Sequence, residues 1–294
     1  MRAWSAGASG PTEAASRWRC LAEAGRWESM ARRRTVTIDS SPEAVFRHLD
    51  AEAIVCIDVM LSATTLATAV AQGRRVFVAP TGPLAHSRAG ELADPCLMAS
   101  GEGAPHRAFG LDDSPTALLH QPLSCPLVLH SPPGTDLIVN SARCRRVLVA
   151  CFRNLTATAR ELQRFGDVAL VGAGCREEFS CEDQMAAAWI GARLLGEGFT
   201  PGDRRTAALI ERWGGIEPAL AGWGNSAEAL RLAGAGDELA FVLSHLDDLE
   251  VACLARPDGT VEPVRPPRPS QAGAWPPPGL EVGEPVSALG GPLR

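Results

Sequence analysis

This sequence of 294 residues lacks several common features. It has no tyrosine, and all 28 of its basic residues are arginine because it contains no lysine. We interpret this as the codon bias of a GC-rich genome and not as a sign of function. No apolar run approaches the roughly 18–20 residues that a transmembrane helix needs, so a membrane partner is not expected. The N-terminus also lacks the continuous apolar core of a signal peptide.

Cysteine spacing and charge exclude other classes of protein. The nine cysteines include no C-x-x-C pair, and several lie inside apolar runs. This argues against a zinc ribbon and against a disulfide framework, and it favours the reducing cytoplasm. The net charge of −6 argues against a broad nucleic-acid surface. The length is enough for one large domain or two small ones with a sizeable core.

Composition divides the chain into three parts. Residues 1–34 are polar, rich in arginine and weakly patterned, which predicts a poorly ordered extension unless Met30 is the true initiator. Residues 266–294 carry many prolines and glycines, a composition that cannot build a packed core and predicts a disordered tail. The globular domain is therefore expected over residues 35–265.

Strands and helices alternate along this middle part. Apolar, β-branched runs predict strands at 35–38, 53–59, 75–79, 126–130, 146–152 and 167–171. Periodic segments predict helices at 63–72, 82–92, 154–165, 180–195, 203–213 and 226–233. Asp258-Gly259 predicts the turn of a hairpin near the end of the domain. This rhythm predicts an α/β fold with three layers, α/β/α, around a largely parallel or mixed sheet.

Polar residues follow the predicted strands, where ligands bind in open α/β sheets. Asp58 comes directly after an apolar run, and a carboxylate there needs a cation or N–H donors. Three carboxylates at such strand ends would suit Mg²⁺, which takes one or two acids and keeps water and phosphate oxygens as further ligands. Backbone N–H groups at the 62–65 and 134–135 turns would suit a phosphate. Together these features predict metal-assisted phosphoester hydrolysis.

The same residues also have structural interpretations. Ser180 with Asp183 resembles a helix capping box, and other candidate N-caps are Ser62 or Thr64, and Asn154. The segment 112–115, Asp-Asp-Ser-Pro, is typical of a turn with an Asx cap. The glycines at 172 and 174 suggest a dinucleotide fingerprint, but Glu177 replaces its third small residue, so nicotinamide binding is not expected.

Six short segments carry a resemblance to a known family, in the same order along the chain. They are Cys56 to Thr65, Gly101-Glu102, Phe109 to Pro115, Gly134-Thr135, Cys151 to Asn154, and Ala173 to Asp183. On these segments the chain resembles the 2-phosphosulfolactate phosphatase family, and the resemblance extends over roughly residues 53–264. The resemblance implies Mg²⁺-dependent hydrolysis of 2-phospho-3-sulfolactate to 3-sulfolactate and phosphate, a reaction associated with coenzyme M biosynthesis.

The chain departs from the family pattern where anions would bind. Leu61 and Gly103 stand where the family has arginines, and Pro133 stands where it has asparagine. The segment from Phe109 has also lost an aspartate. The lost arginines matter because their forked guanidinium groups favour phosphate and sulfonate. The acids of the family pattern remain, at Asp58, Glu102, Glu182 and Asp183.

Two alternative functions are therefore expected. The first is a divergent phosphatase for a small phosphorylated acid, in which Asp58, Glu102 and Asp183 are the catalytic and metal-binding residues, with Glu102 on a metal-bound water or acting as base. The residues expected to orient the phosphate are Thr64, Thr65, Arg107, Thr135 and Asn154. The second is a non-catalytic descendant that binds a small anion or regulates another protein. Whether the chain forms a homo-oligomer is left open.

Overall fold

A mixed sheet of 11 strands with helices on both faces runs through this computed structural model, which describes residues 34–100, 109–174 and 180–266. The predicted α/β fold is confirmed. All described residues belong to one compact unit. The predicted N-terminal extension and C-terminal tail lie almost wholly outside the described residues, so those two assignments stay predictions.

The strands have the following bounds: β1 (Thr35–Asp39), β2 (Ala53–Ile57), β3 (Val76–Val78), β4 (Cys96–Ala99), β5 (Leu111–Asp112), β6 (Leu127–His130), β7 (Val147–Ala150), β8 (Asp167–Gly172), β9 (Thr200–Pro201), β10 (Ala252–Ala255) and β11 (Thr260–Val264). Their order across the sheet is β5-β4-β6-β3-β11-β10-β7-β2-β8-β1-β9.

The α-helices have the following bounds: α1 (Ser62–Ala71), α2 (Gly82–Gly90), α3 (Pro115–Leu119), α4 (Gly134–Asn140), α5 (Leu155–Leu162), α6 (Cys181–Gly196), α7 (Arg204–Trp213), α8 (Asn225–Leu232) and α9 (Gly236–Ser244). Short 3₁₀ helices cover Pro42–Arg47, Phe152–Asn154 and Pro218–Trp223. Helices α3, α4 and α9 were not predicted, because each is short or lacks a clear apolar period.

Strand β2 is buried on both faces of the sheet, which explains its continuous apolar sequence. Ile54 and Cys56 pack into the core that includes α1, whereas Val55 and Ile57 pack into the opposite core, which includes Trp189 of α6. The period of two along a strand divides these residues between the two helical layers. Asp58 therefore follows a strand that is covered on both faces.

The predicted hairpin is confirmed, but it lies in the middle of the sheet. Strands β10 and β11 pair antiparallel with each other, with β7 on one side and with β3 on the other. Gly259 at the turn has φ +83°, and a Cβ there would lie 2.7 Å from the Val78 carbonyl oxygen. Only glycine fits this turn and this close approach to β3.

Parallel pairing brings the ends of four strands to one edge of the sheet. Ile57 of β2 is in register with Ala150 of β7 and Gly172 of β8, and Asp39 of β1 is in register with Val171. The residues that follow these strands therefore meet at the carboxyl edge, as expected for a ligand site.

Within the described ranges, no helix is both long and apolar enough to cross a membrane.

Candidate active site

Asp58 lies between the first turns of two helices. The Ser62 hydroxyl at the start of α1 donates a hydrogen bond to Asp58 Oδ2 at 2.8 Å. A Cβ on Gly134, the first residue of α4, would lie only 2.2 Å from the same oxygen and 2.7 Å from Ser62 Oγ. Any larger residue at position 134 would displace the carboxylate or the serine. The close approach of α4 thus fixes one wall of the site.

A chain of hydroxyl groups joins Asp58 to a second carboxylate, Asp113. Ser62 Oγ lies 2.9 Å from Ser131 Oγ, and the Ser131 hydroxyl donates to Asp113 Oδ2 at 2.6 Å. The Thr65 hydroxyl donates to the other oxygen, Asp113 Oδ1, at 2.6 Å. Asp113 is only 4% exposed, so these donors stand in for water.

The row of hydrogen-bonded groups from Asp58 to Asp113 has one contact more than it has hydroxyl protons. Three contacts join two carboxylates through two hydroxyls, namely Asp58–Ser62, Ser62–Ser131 and Ser131–Asp113. The two hydroxyls supply two protons, and each proton serves one contact. All three contacts are hydrogen bonds only when one of the two carboxyl groups is itself protonated.

The pKa values of the acids support this conclusion. Burial raises the pKa of Asp58 to about 7; the Ser62 hydroxyl opposes the rise, and the charges of Asp113 and Glu182 add to it. Burial also raises the pKa of Asp113, although the Ser131 and Thr65 hydroxyls oppose it. Because the neighbouring charges are themselves negative, the cluster favours a bound proton or a cation.

Asp183, at the start of α6, connects the ends of two strands. Its Oδ1 accepts a hydrogen bond from the Val59 N–H at 2.9 Å, and its Oδ2 accepts one from the Gly174 N–H at 3.2 Å. Burial raises the pKa of Asp183 well above its ordinary value, and the charges of Glu182 and Asp58 raise it further. Asp183 and Asp58, predicted as partners from the sequence, are therefore electrostatic neighbours.

The capping interpretations are confirmed only for position. Ser180 and Asn154 occupy the N-cap positions of α6 and α5, as predicted. Ser180 makes no side-chain hydrogen bond to the first turn of α6, so the predicted capping box with Asp183 is wrong. The residue at the N-cap of α1 is Leu61, not Ser62 or Thr64. Asn154 precedes α5 without capping it through its side chain.

Glu182 is a further buried acid, only 1% exposed. Its Oε2 lies 3.4 Å from the Cys181 thiol and would lie 3.1 Å from a Cβ on Gly224. Glycine at position 224 therefore allows the segment before α8 to close over this carboxylate. No charged donor accompanies Glu182 among its contacts in the described part of the chain.

The predicted phosphate-orienting threonines are buried and bonded within the protein. The Thr64 hydroxyl donates to the Val59 carbonyl at 2.7 Å, and Thr135 Oγ1 accepts from the Ser131 N–H at 3.3 Å. Thr65 bonds Asp113, as described above. These hydroxyls hold the walls of the site, and a direct contact with phosphate stays a prediction.

Asn154 is also engaged within the protein. Its Oδ1 accepts from the Cys151 N–H at 3.0 Å, and its Nδ2 donates to the Val149 carbonyl at 3.1 Å. The side chain thus holds the turn after β7. Its predicted role toward phosphate is likewise untested.

Two predicted site residues, Glu102 and Arg107, lie outside the described residues. Among those that are described, no three histidine, cysteine, aspartate or glutamate side chains are arranged to hold a metal ion. Asp58, Asp113 and Asp183 are nevertheless oxygen donors of the type that Mg²⁺ prefers, and the cost of burying each charged carboxylate raises its pKa. A proton or a cation would relieve this cost.

Asp113 is the site residue that sequence reasoning missed. It was interpreted as part of a turn with an Asx cap, but the cap of α3 is Ser114, whose side chain accepts from the Ala117 N–H at 2.8 Å. Asp113 follows a strand of only two residues, β5, which has no recognisable period. The signal that pointed to it was its position inside a segment of the family resemblance.

Leu61 contributes no charge to the site. It is partly buried and packs against the core that contains α6. The position at which the resemblance calls for an arginine therefore carries an apolar side chain.

Comparison with known proteins agrees with the resemblance. A family model described as 2-phosphosulpholactate phosphatase matches residues 39–252. A probable 2-phosphosulfolactate phosphatase of a Synechococcus species is 31% identical over 238 residues, which cover 76% of this chain and 93% of that protein. Proteins with the same description come from Symbiobacterium thermophilum (33% over 138 residues, 45% of this chain and 59% of that protein) and Parasynechococcus marenigrum (29% over 220 residues, 71% and 84%). This chain belongs to the 2-phosphosulpholactate phosphatase family.

Proposed function

We propose that this protein is a Mg²⁺-dependent phosphatase that hydrolyses a small phosphorylated acid of the 2-phosphosulfolactate type. One observation supports the proposal most strongly: Asp58 has other buried carboxylates as neighbours, because the charges of Asp113 and Glu182 raise its pKa and its own charge raises the pKa of Asp183. Burial raises the pKa of all three aspartates, which favours a bound cation or proton. Family membership and the printed descriptions of the relatives support the choice of substrate.

In this proposal Asp58, Asp183 and Glu102 hold the metal. When bound, Mg²⁺ would stabilise the charge that the phosphate oxygens gain during hydrolysis. The described residues keep the two aspartates in place, because the Ser62 hydroxyl bonds Asp58 and two backbone N–H groups bond Asp183. Such preorganised contacts orient a metal ligand before the substrate arrives.

The test is phosphate release from a panel of phosphorylated 2-hydroxy acids that includes 2-phospho-3-sulfolactate. We expect turnover with Mg²⁺, none with EDTA, and a loss of at least a hundredfold in Asp58→Asn. The matched control is Asp167→Asn, because Asp167 begins β8 at the opposite edge of the sheet and its side chain accepts a hydrogen bond from the Thr35 hydroxyl, at 2.6 Å. Turnover that is equal in Asp58→Asn and Asp167→Asn would refute the proposal.

A second function is favoured by one observation, the apolar packing of Leu61. Without an arginine at this position, a non-catalytic descendant would bind a small anion and leave it unchanged. Calorimetry with 3-sulfolactate and with phosphate tests this alternative, which requires binding without turnover of any panel member. A measurable kcat that is lost in Glu102→Gln would exclude it.

A further inference from the structure

Two arginines and a histidine converge on Asp39 at the end of β1. Arg47 Nη2 lies 3.1 Å from Asp39 Oδ2, His48 Nε2 lies 3.0 Å from the same oxygen, and Arg205 Nη1 lies 3.2 Å from Oδ1. The first two belong to the 3₁₀ helix after β1 and its end, and Arg205 belongs to the first turn of α7. Side chains from two separate helices thus meet at one carboxylate.

The charges of this cluster do not cancel. Asp39 carries one negative charge and two arginines accompany it, so the group has a net positive charge even when His48 is neutral. The side chains of Arg47 and Arg205 are 65% and 57% exposed. Each guanidinium has five N–H donors in a planar fork, and only one nitrogen of each bonds Asp39. The remaining donors suit a planar or tetrahedral oxyanion.

The main effect of Asp39 is to hold these arginines in place, since their ion pairs with it add little to the stability of the fold. Burial by itself would raise the pKa of Asp39, but hydrogen bonds from His48 and Arg47 and the charges of Arg47 and Arg205 lower it overall. The carboxylate therefore stays ionised near neutral pH. Ion pairs with such exposed partners contribute little to the stability of the fold, so stability alone does not account for the grouping.

The cluster lies beside the candidate active site. The Asp39 carbonyl oxygen and the Asp183 β-carbon are both near Gly172, at 3.8 Å and 3.2 Å from the position of a Cβ on that residue. Gln184, next to Asp183, also donates to the Ser40 hydroxyl at 2.8 Å. Strand β8 separates β1 from β2, so the ends of β1 and β2 are about 10 Å apart, at ~4.8 Å per strand spacing.

We propose that Arg47 and Arg205 bind a second acidic group of the substrate, a carboxylate or sulfonate, while its phosphate lies at Asp58. This inference rests on the proposed function and deepens it. It assigns substrate selection to the end of β1. This part of the site is separate from position 61, where the family has an arginine and this chain has Leu61. A phosphomonoester without a second acidic group would gain nothing from this cluster.

The test compares two substrates in the variants Arg47→Ala, Arg205→Ala and the double variant. For 2-phospho-3-sulfolactate we expect the double variant to raise KM at least tenfold with kcat within twofold, because the arginines bind substrate and transition state alike. For phenyl phosphate, which has no second acidic group, KM should stay within twofold. Arg164→Ala is the control, since Arg164 is 62% exposed and pairs with Glu161 in another part of the fold.

Two results would overturn the inference: an unchanged KM for 2-phospho-3-sulfolactate, or an equal rise in KM for both substrates. If the wild-type protein hydrolyses neither substrate, the proposed function fails, and calorimetry with 3-sulfolactate still tests the arginines. The double variant should then bind 3-sulfolactate at least tenfold more weakly than Arg164→Ala. Equal binding by the two variants, with Tm values within 2 °C of the wild type, would refute the anion site by itself.

Discussion

Asp58→Asn should stabilise the metal-free protein at high pH and have only a small effect at low pH. Burial raises the pKa of Asp58 from 3.8 to about 7 in the folded chain. The unfolded chain keeps the ordinary value, so the folded state binds an extra proton between pH 4 and 7 and loses stability as the pH rises through this window. Asparagine keeps an oxygen for the Ser62 hydroxyl but cannot ionise.

The size of the effect follows from the shift. A pKa difference of about three units corresponds to about 4 kcal/mol above pH 7, and each kcal/mol moves Tm by roughly 2–4 °C in a domain of this size. In EDTA at pH 8 the Asp58→Asn protein should therefore melt about 10 °C higher than the wild type. At pH 4.5 Asp58 is protonated in the folded chain and mostly ionised in the unfolded chain, so about 1 kcal/mol of the effect remains and the two Tm values should differ by only about 2–4 °C.

Thermal unfolding followed by circular dichroism measures both differences. Asp39→Asn is a matched control with the opposite sign, because its lowered pKa makes the ionised form stabilising above pH 4, so this variant should lose stability at pH 4.5 and at pH 8. Addition of MgCl₂ at pH 8 should raise Tm in the wild type and not in Asp58→Asn. A lower Tm for Asp58→Asn at pH 8 in EDTA would refute the electrostatic reasoning.

Three further predictions concern the same cluster. Gly134→Ala places a Cβ 2.2 Å from Asp58 Oδ2 and should lower Tm by several degrees and abolish the Mg²⁺ effect, whereas Gly90→Ala, with no atom within 4 Å of the new Cβ, should change neither. Ser131→Ala removes a donor from the buried Asp113 and should cost about 1–3 kcal/mol in urea unfolding; an unchanged midpoint would contradict the described network. Because Asp58 must lose its proton to bind metal, the Kd for Mg²⁺ by calorimetry should weaken about tenfold per pH unit below 7, and a Kd independent of pH would show that this carboxylate is not a ligand.

Local patterns along the chain were sufficient for most of the architecture. The strand that ends at Ile57 was readable because burial on both faces demands a continuous apolar run, and the hairpin was readable because Asp258-Gly259 suits a tight turn. Asp58 was identified as a site residue because it interrupts apolar sequence at a strand end. Each of these predictions depends only on residues that are close together in the sequence.

The polar partners of these elements depend on residues far apart in the chain. Ser180 and Asp183 have the spacing of a capping box. Asp183 nevertheless accepts its hydrogen bond from the Val59 N–H, 124 residues away, because the end of β2 lies beside the first turn of α6. Asp113 follows only two residues of strand, and no local signal joins it to Ser131. Sequence spacing cannot predict such contacts.

The sequence by itself determined the alternation of strands and helices, the family pattern and the position of Asp58, because local propensity, burial period and motif order are properties of contiguous residues. Tertiary structure alone decided that β10 and β11 enter the middle of the sheet and that Asp113 joins Asp58 through two serines. It also decided that Arg47 and Arg205, 158 positions apart, meet at Asp39. The physical reason is that folding brings together the ends of strands that are distant in sequence, so side chains with no local relation become neighbours.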